Sequence, residues 1–80
     1  MPEPDYKQIT IVNNSSGSIL VKISTNESDG GQDGFFPVPA HGSDRWNRSV
    51  NQVVQIVRYQ KTGAIIEERL GIPGEAVYVN

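Results

Sequence analysis

Apolar residues in this 80-residue chain recur at every second position, and no segment holds a 3.6-residue apolar period over three turns. That contrast leaves few folds open. Residues 7–13, "KQITIVN", set Ile9 and Ile11 against Thr10 and Val12, and residues 18–25 set Ile19, Val21 and Ile23 against Leu20, Lys22 and Ser24. Residues 52–60, "QVVQIVRYQ", give the strongest strand signal, with Val53, Gln55, Val57 and Tyr59 on one side and Val54, Ile56 and Arg58 on the other. Further strands are expected over 43–50, where Asp44, Trp46 and Arg48 share a face, and over 64–70 and 75–80. "FFPVP" at 35–39 reads as a short edge, because Pro37 and Pro39 each withdraw a ladder donor. The turn residues of "NNSSGS" predict a hairpin between 7–13 and 18–25, and Lys61-Thr62-Gly63 predicts a second one. Six or seven short strands at roughly ten-residue spacing predict an all-β fold, a small antiparallel β-sandwich or barrel. Residues 7–80 form that single domain, after a flexible N-terminus at 1–6.

A domain of this size buries only about 60% of the surface its unfolded chain exposes, so its stability is marginal without an added constraint. The chain has no cysteine and one histidine, His41, which excludes disulfides and the usual nitrogen and sulfur set for zinc. Self-association is the remaining stabiliser, and a homo-oligomer is expected. Seven Lys and Arg against nine Asp and Glu give no basic footprint for phosphates, so nucleic acid is not an expected partner. The stretch "MPEPDYKQ" has neither a charged n-region nor an apolar h-region, and the reading is a cytoplasmic chain. The Asn-x-Ser triplets beginning at Asn13, Asn14, Asn26 and Asn47 are then chance products of an Asn- and Ser-rich sequence.

Chemistry has few places to reside. His41, Ser43 and Asp44 are the residue types of a hydrolase, but sequence neighbours on one turn rarely converge as nucleophile, base and orienting acid. Glu67 and Glu68 are adjacent, so on a strand they face opposite ways and cannot flank a scissile bond. No catalysis and no cofactor are therefore expected. The loop "NESDGGQDG" spaces Glu27, Asp29, Gly31 and Asp33 so that a calcium ion would find oxygens, yet it lacks the closing bidentate glutamate. Trp46 admits two readings. It is either a core ring, as a single Trp in a small domain often is, or a platform for a sugar with Asp44, Asn47 and Arg48 around it and Asn26, Asp29 and Asp33 at the loop rim. Phe35 and Phe36 cannot both point inward on a strand, so one of them is left for an interface or a membrane.

The ordered elements "ITIVNNSSGSILVKIS", "NESDGGQDGFFPVPAHGSDRW" with Arg48, and "GIPG" resemble a family of small β-sandwich proteins. These are nematode proteins up-regulated in long-lived insulin-receptor mutants, with short fungal relatives. The resemblance implies an antiparallel sandwich, pairing of subunits through an apolar surface, and no established catalysis. The function expected is that of a non-catalytic oligomeric binding protein, lectin-like with a glycan as ligand. The alternatives are a cytolysin-like protein that binds membrane lipid through Phe35 and Phe36, and a structural oligomer without a small ligand.

Overall fold

The computed structural model describes residues 8–25, 34–60 and 63–80. Seven strands carry the fold: β1 (Gln8–Asn13), β2 (Ile19–Ile23), β3 (Phe36–Val38), β4 (Ser43–Asn47), β5 (Gln52–Gln60), β6 (Gly63–Gly71) and β7 (Ala76–Val79). They form a three-stranded sheet in the order β4-β1-β7 and a four-stranded sheet in the order β3-β2-β5-β6. All pairings are antiparallel except that of β1 with β7, which is parallel. The all-β reading holds.

The inward faces of β1, β2 and β7 are the more apolar ones, whereas β5 turns Val54, Ile56 and Arg58 inward and leaves Val53 and Tyr59 exposed. Ile9 and Ile11 of β1, with Trp46, Val77 and Val79 from its sheet, meet Ile19, Val21, Ile23, Val38, Val54 and Ile56 from the other. Phe36 packs against this cluster.

The expected hairpin between the first two strands does not form. β1 pairs with β4 and β7, β2 pairs with β3 and β5, and the connection between them crosses from one sheet to the other. Each strand has one inward apolar pair or triplet, Ile9 and Ile11 on β1 and Ile19, Val21 and Ile23 on β2, and both are buried by setting the faces opposite each other across the core. Paired side by side in one sheet, the two faces would still need a layer to cover them.

The second hairpin does form. Gln60 pairs with Gly63, and the register runs unbroken to Gln52 opposite Gly71. β7 follows a turn in which the Glu75 amide donates to the Ile72 carbonyl, with Gly74 at φ 90°. Pro73 then Gly74 is the sequence that a type II turn requires, since its third residue must take a positive φ. β3 is a sheet edge carrying Pro37, as its prolines predicted.

Two buried polar side chains fasten the sheets together. Arg48 follows β4, is fully buried, and donates from Nε to the Ser24 carbonyl at 2.9 Å, from Nη2 to the Ile23 carbonyl at 2.9 Å and from Nη1 to the Asn47 carbonyl at 2.7 Å. It therefore ties the end of β4 to the end of β2 in the opposite sheet. Asn13, also buried, ends β1 and donates from Nδ2 to the carbonyls of Gly17 (2.9 Å), Val38 (3.1 Å) and Pro39 (3.1 Å). Its Oδ1 accepts from the Ser15 amide and hydroxyl, which shapes the β1–β2 connection. Neither role was visible in the strand pattern, because both depend on carbonyls brought close only by the fold.

Candidate functional site

The tryptophan-centred constellation does not form a site. Trp46 lies opposite Ile9 in the β1–β4 ladder and is only 4% exposed, so its indole is part of the core and has no open face for a sugar ring. Arg48 spends its guanidinium on backbone carbonyls. The expected sharing of one face by Trp46 and Arg48 is correct in direction, but that face is the interior. Asp44 and Asn47 are exposed: Asp44 accepts from the Arg45 amide at 2.8 Å, and Asn47 Oδ1 accepts from Gln8 Nε2 at 2.8 Å. Asn26, Glu27, Asp29, Gly31 and Asp33, the loop-rim and calcium candidates, lie outside the described residues, as does the N-terminal segment. Among the described residues no group of three His, Cys, Asp or Glu is placed to hold a metal ion.

Phe35 and Phe36 divide as their adjacency requires. Phe36, opposite Val21, is half-buried against the core, while Phe35 is 45% exposed with the Lys22 ammonium 5.8 Å from its ring centre. A membrane wedge built on both rings is thereby reduced to one ring. His41 is exposed in the turn after β3 at φ 61°, with Gly42 N–H bonded back to the Pro39 carbonyl. Asn13 has its amide nitrogen buried and occupied, so the first Asn-x-Ser triplet offers no glycan acceptor in the folded chain.

Two surface features stand apart from these candidates. The first is a cleft of about 260 Å³ lined by the Ser15–Ile19 connection, Arg58 and Tyr59. Arg58 donates from Nη1 to the Asn80 carbonyl and from Nη2 to Glu67 at 3.1 Å, and its buried Nε meets no acceptor among the described residues.

The second feature is the outer face of the β5–β6 hairpin. Register places Val53 beside Leu70, Val57 beside Ile66 and Tyr59 beside Ala64, with Gln55 and Glu68 between the first two pairs. Tyr59 is 69% exposed, Ile66 65% and Leu70 60%, and no element among the described residues covers them. Alternation placed Val53, Val57 and Tyr59 together, but it gave no sign that this face stays uncovered, because coverage depends on which sheet the strand joins. On the inner face Glu67 is shared between Arg58 and Arg69, at 3.1 and 3.2 Å. Glu67 and Glu68 face opposite ways, as their adjacency requires: Glu67 is half-buried and ion-paired, whereas Glu68 is exposed.

No family model, curated protein or solved structure matches the chain.

Proposed function

We propose that the protein is a non-catalytic binding protein that works as a homo-oligomer, with its copies meeting on the β5–β6 hairpin. The observation that carries this reading is the exposure of Tyr59, Ile66 and Leu70 on neighbouring strands of one sheet face. Single exposed apolar residues are ordinary on a small domain, but contiguous ones on adjacent strands mark an interaction surface. A small core with no disulfide gains stability when that surface is covered. Oligomerisation also multiplies weak single-site affinity through effective concentration.

Sedimentation equilibrium from micromolar to submillimolar concentration tests this. The average mass is expected to rise above the 8.8 kDa of one chain, and the combined changes Ile66→Lys and Leu70→Lys to hold it at one chain. A mass fixed at one chain for the unaltered protein at every concentration overturns the proposal.

A carbohydrate ligand is the second reading, and its support has moved. With Trp46 in the core, what favours it is the cleft lined by Ser15, Ser16, Gly17, Ser18, Arg58 and Tyr59, a set of residues rich in hydrogen-bonding groups. Glycan titration followed at the amides of Ser15, Gly17 and Tyr59 is where such binding would register.

A further inference from the structure

The free edge of β6 differs from the other edges of the molecule. β3 is three residues long and carries Pro37, β4 has five residues and β7 four. β6 has nine, pairs on one side only among the described residues, contains no proline and keeps an unbroken register with β5. Natural edges are normally shortened, bulged or closed by proline, because a long regular one is a template for another strand.

The direction of its open hydrogen-bonding groups follows from β5. The Ser24 amide donates to the Val53 carbonyl, so Val53 and its alternates turn toward β2, and Val54, Ile56 and Arg58 turn toward β6. Their partners Arg69, Glu67 and Ile65 are engaged with β5. Ala64, Ile66, Glu68 and Leu70 consequently point their N–H and C=O groups outward.

We propose that two copies of this chain join their β6 edges antiparallel about a two-fold axis at Glu68, making one eight-stranded sheet. This rests on the self-association reading above and sets the contact at the edge of that hairpin, where Ile66 of one copy lies beside Leu70 of the other. A two-fold axis perpendicular to the sheet keeps each face on its own side, so opposed residues must share parity, and the axis must pass at a residue position. Centred on Glu67, the pairing sets Glu67 against itself, Ile65 against Arg69 and Ile66 against Glu68. Centred on Ile66, it sets Ile65 against Glu67 and Ala64 against Glu68, and centred on Arg69 it sets two arginines together and Glu68 against Leu70. Centred on Glu68, it places Glu67 of each copy opposite Arg69 of the other and Ile66 opposite Leu70, each twice. Only this register opposes unlike charges and joins apolar side chains, at the cost of one exposed Glu68–Glu68 contact. The inward charges that deter foreign strands are complementary to a second copy of themselves.

The chain has no cysteine, so a single introduced thiol reports the register directly. Opposed residues of a hydrogen-bonded antiparallel pair have Cα atoms about 5.5 Å apart, within disulfide reach. Glu68→Cys is therefore expected to form a covalent dimer under mild oxidation at least about tenfold faster than Ile66→Cys, whose two thiols would sit about 14 Å apart. Both positions are exposed, so neither change disturbs the core. If the chain associates in sedimentation but Glu68→Cys cross-links no faster than Ile66→Cys, the register is wrong while self-association stands. If the chain does not associate at all, both proposals fall.

Discussion

Replacing Arg48 with alanine is expected to lower the thermal unfolding midpoint by about 12 °C or more, corresponding to a loss of about 3 kcal/mol or more in a domain of this size. The guanidinium serves the carbonyls of Ile23, Ser24 and Asn47, two of them in the opposite sheet. Truncation leaves those buried acceptors without donors and opens a cavity where a fully buried side chain stood. Total stability for such a domain is about 5–15 kcal/mol, so the loss is a large share of it. Arg48→Lys separates the two contributions. Lysine keeps the charge, but a single ammonium cannot reach the Ile23 and Ser24 carbonyls in the geometry of the planar fork, and stability should fall between alanine and wild type. A drop below about 1 kcal/mol for Arg48→Ala, in the range of an ordinary surface change, would show that the clasp between sheets carries little of the fold.

Asn13→Asp tests the opposite end of the sandwich without changing shape. Asparagine and aspartate are nearly isosteric, but the change turns the Nδ2 donor toward Gly17, Val38 and Pro39 into an acceptor. At neutral pH it also sets a buried negative charge against those carbonyls. About 3 kcal/mol or more should be lost, and at neutral pH the loss should exceed that of Asn13→Ala, which removes the donor without adding a charge. The pH dependence has a definite sign. Burial and nearby carbonyl oxygens raise the folded-state titration of the new carboxyl above its unfolded value. Its penalty is present above the folded titration range, shrinks as the pH falls through it, and is relieved below the unfolded range. The unfolding midpoint of Asn13→Asp relative to wild type should rise on acidification, whereas that of Asn13→Ala should stay level. An Asn13→Asp variant as stable as Asn13→Ala at neutral pH would contradict the donor role.

The legible and illegible parts of this chain divide along a physical line. Alternation along a strand is local, and it grouped Ile9 with Ile11, Ile19 with Val21 and Ile23, and Val54 with Ile56 before any partner strand was known. Prolines placed β3 at an edge, because a missing donor has the same meaning in any fold. Partner choice is not local. The Asn- and Gly-rich turn after Asn13 has hairpin chemistry, but the apolar residues of the two strands are better buried opposite each other, and the connection crosses the core instead. The buried roles of Arg48 and Asn13 were illegible for a related reason. A charged or amide side chain at a strand end is ordinarily solvated, and what holds each of these inside is a set of carbonyls from sequence-distant residues, 24 to 26 positions away. Trp46 was left open between core and platform because what decides it is non-local: the other sheet packs over the face it shares with Ile9 and leaves it 4% exposed.

Amide hydrogen exchange along β6, resolved by residue and repeated over a range of protein concentration, tests most directly whether this strand is the meeting edge. The amides of Ile65, Glu67 and Arg69, engaged with β5, should be slow at every concentration. Those of Ile66, Glu68 and Leu70 should exchange readily in dilute solution and slow progressively as the concentration rises. Fast exchange at these three positions in samples shown to be oligomeric would contradict pairing through β6.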